Sequence, residues 1–248
     1  MGLSVERVGA GGLVPPWVRH QHVERYRWAA GLAAGRRVLD AACGTGYGTA
    51  ALAAAGAAAA VGVDVSPEAI EVARASVAPN LSYRVGDVRD LPFTAAAFDL
   101  YVSFETVEHL DDPARFAPEA RRVLAPGGTF VCSTPNRAVT NPGTGIGDRP
   151  YNPFHVREYT AAELAALLRE AFPDVTVYGQ SLFPAGYVRG LVGVARWSRR
   201  LAVRSHQFVK LARMPVDRAR HHRPQPYTAA AEPEILVAVC RTEPGGRS

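Results

Sequence analysis

The feature that most constrains this chain is a short apolar run that stops at an acid and breaks into glycines. Arg37-Val-Leu-Asp40 runs into Ala-Ala-Cys-Gly44-Thr-Gly46-Tyr-Gly48, and alanine-rich Thr49 to Ala55 follows, stopped by Gly56. That order predicts a buried strand, a loop whose backbone can approach a ligand closely, and a helix. The pattern recurs. Ala59 to Val63 ends at Asp64, and Ser66-Pro67-Glu68 opens a helix with Ser as N-cap and Pro at the first helical position. Leu81 to Val85 ends at Gly86-Asp87. Phe98 to Phe104 is a fourth strand, and Thr129 to Ser133 a fifth after the turn Pro126-Gly127-Gly128. Thr160-Ala-Ala-Glu163 is a capping box for a helix to about Phe172, and Val175 to Tyr178 and Ile235 to Cys240 are the last two strands. Strands alternating with helices predict an α/β fold with a doubly wound, mostly parallel sheet and helices on both faces.

Nothing in 248 residues forces a second domain, so 1–248 reads as one unit. Pro16 to Ala34 predicts a helix stopped by Gly35, which makes 1–35 an N-terminal helical cover. The net charge of +5 is uneven: Phe183 to Tyr227 holds ten Arg or Lys and one acid, Asp217, so this stretch is +9 and the remainder −4. Within it Tyr187, Val194, Leu201 and Phe208 recur every seven residues with Leu191 near the same face, while Arg189, Arg196, Arg200 and Lys210 lie away from the stripe. This predicts a basic amphipathic helix, broken near Pro215, as an insertion over 183–227 between the last two strands. Such a helix suits a lid over an acceptor or an anionic membrane surface. Without interleaved aromatics it disfavours nucleic acid. Ala51 to Val61, the nearest approach to a membrane span, is too short. Met1 to Trp17 lacks a secretory apolar stretch, and Cys43, Cys132 and Cys240 form neither metal knuckle nor disulfide framework. The expected location is cytoplasmic, extending to the inner membrane face.

In an open α/β sheet, ligands bind at the carboxyl ends of the strands. A dinucleotide loop needs G-x-G-x-x-G and offers bare N–H groups to a pyrophosphate. Here the third glycine comes one place early, and Asp40 would repel a pyrophosphate. The acid suits S-adenosylmethionine, whose amino-acid end and sulfonium are cationic. Ala41, Gly44, Thr45 and Gly46 then form the cofactor loop. Asp64, with Val65, is placed to accept from the ribose hydroxyls, and Asp87, with Val88, from the adenine amino group. Phe104 completes this set at the end of the fourth strand.

The chain resembles the class I (Rossmann-like) S-adenosylmethionine-dependent methyltransferases, in a type 11/23-like subgroup, over about Trp17 to Gln180. The resemblance is carried by His22-Val-Glu-Arg25-Tyr26, the loop from Val38 to Gly48, Gly62-Val-Asp64, Gly86-Asp87, Leu91-Pro-Phe93, Phe98-Asp99, Glu105-Thr-Val-Glu108-His109, Arg122 to Gly128 and Ser133-Thr-Pro-Asn136. It implies a seven-stranded sheet of order 3-2-1-4-5-7-6 with one antiparallel strand. The run Asn152-Pro-Phe-His155-Val-Arg-Glu158 resembles a subgroup associated with glycan or natural-product assembly.

Methyl transfer relies on alignment and on removing the acceptor's proton. Glu105, Glu108 and His109 stand at i, i+3 and i+4 after the fourth strand, which predicts one helical face, and His155 follows the fifth strand at the same sheet edge. Two readings compete. Glu105, Glu108, His109 and His155 can hold Mg²⁺ or Mn²⁺, or His109 or His155, with Glu105, serves as a metal-free general base. Arg25 and Tyr26 are placed to close over the methionine carboxylate. The acceptor is expected to be a small molecule, such as a sugar or natural-product intermediate, methylated first of all on oxygen. N- or C-methylation, a non-catalytic cofactor-binding module and an NAD-dependent oxidoreductase are the open alternatives.

Overall fold

The computed structural model describes residues 16–198, 200–202, 204–205, 223–228 and 230–245. Helix α1 (Pro16–Ala30) precedes β1 (Arg37–Ala41), α2 (Tyr47–Ala54), β2 (Ala59–Asp64), α3 (Pro67–Ala73), β3 (Leu81–Val85) and β4 (Phe98–Phe104). Then come α4 (Phe116–Val123), β5 (Leu124–Pro135), α5 (Arg137–Thr140), α6 (Ala161–Arg169), β6 (Asp174–Pro184), α7 (Ala185–Ala195) and β7 (Ala231–Arg241). The strands form a seven-stranded sheet of order β3-β2-β1-β4-β5-β7-β6. The pairs among β1 to β5 are parallel, and β7 is antiparallel to both β5 and β6. This is the expected order.

The parallel strands read as continuous apolar runs because both faces are covered. Along β4 the side chains alternate: Tyr101 joins the core with Phe116, Leu164 and Leu168, while Leu100, Val102 and Phe104 join that of Tyr26, Ala29 and Leu52. Helices α4 and α6 therefore cover one face, and α1 and α2 the other. Phe130 centres the first core, with ring centroids 4.8 Å from Tyr101, 5.4 Å from Phe116 and 5.6 Å from Phe172.

Local signals fared well. Ser66 caps α3 through Ala69 N–H at 3.2 Å, and the Thr160–Glu163 capping box is formed at α6. Helix α1 ends at Ala30 rather than Ala34, and turns run to Gly35 at φ 70°. Strand β5 begins at Leu124 and runs through the expected turn at Pro126 to Gly128. Strand β6 extends to Pro184 because it stays paired with β7 up to Ala231, well past Tyr178. Residues 185–230 lie between β6 and β7, so Phe183 and Pro184 of the expected insertion belong to β6. The described helix of the insertion is α7, with Val188 and Leu191 buried, whereas Phe208, Lys210 and Pro215 of the expected heptad helix lie outside the described residues. Among the described residues no helix is long and apolar enough to cross a membrane.

Candidate functional site

A cleft of about 650 Å³ runs along the carboxyl edge of the sheet. Gly44 after β1, Asp64 and Val65 after β2, Asp87 and Val88 after β3, and Phe104 and Glu105 after β4 line it. Helix α1 contributes Arg25 and Tyr26, and the segment after β5 contributes Asn141, Asn152, His155 and Glu158.

Asp40 stands elsewhere than expected. It is fully buried beneath the loop, outside the cleft lining. Tyr26 Oη donates to its Oδ1 at 3.0 Å, and Thr49 Oγ1 donates to its Oδ2 at 2.6 Å. Burial pushes its carboxyl up to about 7 against those two bonds. Asp40 therefore ties α1 and α2 to the loop and does not present a charge to a ligand. Ala41 is likewise buried, and Thr45 and Gly46 do not line the cleft. Gly44, at φ 56°, does line it, and a Cβ there would meet nothing within 4 Å. The early third glycine has a separate cause. A Cβ on Gly48 would come within 2.0 Å of the Tyr26 ring, so Gly48 is the seat of that ring.

Asp64 sits where the sequence placed it. It accepts from Gly44 N–H at 2.8 Å and Ser66 N–H at 2.9 Å, which holds its carboxylate at the cleft wall. Asp87 lines the cleft but is already engaged. Arg89 donates to both its oxygens, at 2.7 Å to Oδ2 and 3.0 Å to Oδ1, and holds its carboxyl below the usual carboxylate range. Asp87 thus stands at the expected place in the cleft wall with its carboxylate held by a residue two places along the chain.

Arg25 is buried to 1% exposure. It donates to Gln180 Oε1 at 2.7 Å, lies 3.5 Å from Glu105 Oε1 and 5.8 Å over the Phe104 ring, and its Nε has no partner. Tyr26 lines the cleft, but its hydroxyl is committed to Asp40. His22, absent from the expected set, contacts Tyr47 Oη at 2.6 Å; burial, and then Arg25, holds it well below the usual histidine range.

Glu105 does not share a face with Glu108 and His109. Its φ of 51° reverses the chain before the 3-10 turn Val107–His109, and its Oε1 accepts from Ser133 Oγ at 2.8 Å beside Arg25. Glu108, His109 and His155 do converge, with one ligand atom of each within 4.8 Å of the others. The four-residue metal set is thereby reduced to three. Glu108 is fully buried. Thr134 donates to its Oε2 at 2.9 Å, its Oε1 has no partner, and burial followed by Glu105 raises its carboxyl well above the usual range. The His109 and His155 rings stand edge to face, 5.0 Å apart.

Glu158, only 2% exposed, meets His155 Nδ1 at 2.6 Å. Burial pushes this carboxyl up, but bonds from His155, Thr140 and Asn141 outweigh it and hold it below the usual range. Sequence reasoning assigned Glu158 no role, although its i,i+3 spacing from His155 was a usable signal.

These residues fit an S-adenosyl donor. An open glycine backbone, a fixed carboxylate at the end of β2, and a buried guanidinium with an unpaired Nε suit a ligand with ribose hydroxyls and a carboxylate end. Asp64, Gly44 and Arg25 would hold it.

Residues 39–132 match the model of a methyltransferase domain family. The chain is 44% identical over 155 residues to a probable S-adenosylmethionine-dependent methyltransferase of Mycolicibacterium smegmatis, covering 62% of this chain and 58% of that protein. A counterpart from Mycobacterium tuberculosis is 40% identical over 164 residues, covering 66% of this chain and 58% of its own. The chain thus spans under two thirds of the length of these curated relatives. A methyltransferase structure from Thermotoga maritima shares the fold, with a TM-score of 0.58 at 19% identity over 90% of this chain and 92% of that one. Residues 39–132 thus carry a sequence similar to a methyltransferase domain, and the sheet order and strand-end cleft are those of the Rossmann-like fold that the chain shares with the Thermotoga maritima structure.

Proposed function

We propose that the protein transfers a methyl group to a hydroxyl oxygen of a small-molecule acceptor, with His155 as the group that receives the hydroxyl proton. One observation carries this reading: His155 lines the same cleft as Gly44, Asp64 and Arg25. Bound S-adenosylmethionine supplies a methyl carbon already activated by a sulfonium. The chain's own residues align the reactants, exclude water and accept a proton. Arg25 and Asp64 hold the donor, with Val65, Val88 and Phe104 packing beside it. Glu105, tied to Arg25 and Ser133, borders the reaction space.

A small acceptor, such as a sugar or natural-product intermediate, fits the cleft. Seven acidic side chains and two arginines line it, which opposes a polyphosphate such as nucleic acid. The basic segment 183–227 suits a cover over the acceptor or an anionic membrane surface at the cytoplasmic face. Trp197 is 92% exposed and Leu201 55%, and Arg189, Arg196 and Arg200 are exposed too. Flotation with anionic liposomes tests that surface; no binding at low salt removes it.

A second reading is favoured by the partnerless Oε1 of Glu108 beside two imidazoles: a Mg²⁺ or Mn²⁺ ion held by Glu108, His109 and His155. In that case His155 acts as a ligand and not as a base.

Calorimetry with S-adenosylhomocysteine and with NAD tests the donor, and preference for NAD would overturn the reading. His155→Ala is expected to keep donor affinity and lose methyl transfer. Unchanged transfer would remove His155 from the mechanism.

A further inference from the structure

We infer that Glu158 is the positioning residue that sets the proton-accepting tautomer of His155, and that Asn152 caps the ring until the acceptor arrives. The inference deepens the methyl-transfer reading and rests on it.

Hydrogen-bond directions are usually ambiguous around histidine and asparagine. Here two backbone N–H groups remove the ambiguity. Phe154 N–H donates to Asn152 Oδ1 at 3.1 Å, so the Asn152 amide turns its Nδ2 toward His155, where it lies 3.0 Å from Nε2. Tyr151 N–H donates to Asn141 Oδ1 at 2.6 Å, so Asn141 turns its Nδ2 to Glu158 Oε2, at 2.5 Å. An amide NH₂ only donates. His155 Nε2 must therefore offer a lone pair, and in a neutral ring the proton sits on Nδ1. That proton points at Glu158 Oε1, 2.6 Å away. A protonated Nε2 would set two donors against each other at 3.0 Å.

The three side chains come from the one segment after β5. Glu158 is anchored there from α5 by Thr140 and from the next residue by Asn141. The His155 side chain is 8% exposed and faces the cleft. Asn152 holds Nε2 in the resting state with a weak neutral donor. An acceptor hydroxyl can replace it, because O–H donates to an imidazole lone pair at least as well as an amide N–H does. The hydroxyl proton then passes to Nε2 while the oxygen's electron pair forms the O–C bond and the S–C bonding pair stays on sulfur. The ring ends as imidazolium, its charge faced by Glu158. This is the division of labour in which a carboxylate fixes the tautomer of a histidine base and stabilises its cation without taking the proton.

The test is the ring itself. Long-range ¹H–¹⁵N spectra of the ¹⁵N-labelled full chain, with His155→Gln for assignment, report which nitrogen carries hydrogen. The wild-type chain is expected to show His155 protonated on Nδ1. In an Asn152→Ala background, where that amide no longer donates to Nε2, Glu158→Gln, whose amide can donate, should move the proton to Nε2, and Glu158→Asp should restore it. An Nε2–H ring in the wild type overturns the proposal even if no variant folds. An unmoved tautomer in the folded Asn152→Ala/Glu158→Gln chain does the same. A shift of the Nε2 resonance on adding Mg²⁺ or Zn²⁺ would assign His155 to a metal and also overturn it. S-adenosylhomocysteine affinity is measured on the same samples. Its loss in the wild type strikes the methyl-transfer reading alone. With an acceptor in hand, Glu158→Gln should lower kcat by about 10²–10⁴-fold at nearly unchanged KM, and the Asp variant should recover most of that.

Discussion

The ring of Tyr26 fills the space that a side chain on Gly48 would need, at a separation of 2.0 Å from an added Cβ. The same tyrosine donates its hydroxyl to Asp40 beneath the loop. One side chain thus couples the N-terminal helix to the two elements that shape the donor site. Gly48→Ala should improve helix propensity by up to about 1 kcal/mol yet displace the ring, which costs about 1–3 kcal/mol for overpacking. The expected net result is a lower urea midpoint together with weaker S-adenosylhomocysteine binding. A variant that gains stability and keeps its affinity would show that the ring can move freely.

Asp40 makes stability depend on pH in a defined direction. Its carboxyl titrates near 3.8 when unfolded and near 7 when folded. Its contribution is therefore fully present below pH 3.8, and falls as pH rises until it is lost above about 7. In that window its slope approaches about 1.4 kcal/mol per pH unit. Urea unfolding at pH 5, 6 and 7 should show a steeper decline for wild type than for Asp40→Asn. Equal slopes would place the charge elsewhere.

On the base reading, chelation should change little. Exhaustive dialysis against EDTA is expected to leave both the thermal midpoint and methyl transfer where they were. A drop in either, restored by Mn²⁺, would instead favour the ion at Glu108, His109 and His155.

Phe130 touches three other rings on one face of the sheet. Phe130→Ala should cost about 3–5 kcal/mol by chemical denaturation. A loss under 1 kcal/mol would mean that Tyr101 and Phe172 close the gap.

Removing the Thr160 cap tests a smaller effect. Thr160→Ala removes the side-chain half of the box, leaves the backbone N–H bond to Glu163, and should cost about 1 kcal/mol, without altering donor binding. A change in affinity would reveal coupling from α6 to the cleft.

The sheet was legible because the first four strands are short apolar runs that stop at an acid or a glycine, and the capping signals at Ser66 and Thr160 act within four residues. The site was legible where a residue's position alone decides its place, as for Gly44, Asp64 and His155. It was not legible where a distant partner decides. Asp40 is claimed by Tyr26 and Thr49 from two helices, and Glu105 by Arg25 and Ser133 after an unforeseen left-handed turn. The bond from Arg89 to Asp87 was the nearer signal, because its donor stands only two residues along the chain. The length of β6 was hidden for a similar reason. Its outer half is held by pairing with β7, not by a local apolar run.

That long ribbon has a consequence for how such a chain can be altered. Strand β6 ends at Pro184 and β7 begins at Ala231, and these two positions are paired rungs of one ladder, with Gln225 exchanging two further backbone bonds with Gly179. The ends of the excursion are held together whatever lies between them, so doubling its length adds only about 0.6 kcal/mol of closure entropy. The rung is a natural grafting point, where a different cover, tether or reporter can be exchanged while the strands carrying Asp64 and Arg25's partner Gln180 keep their register.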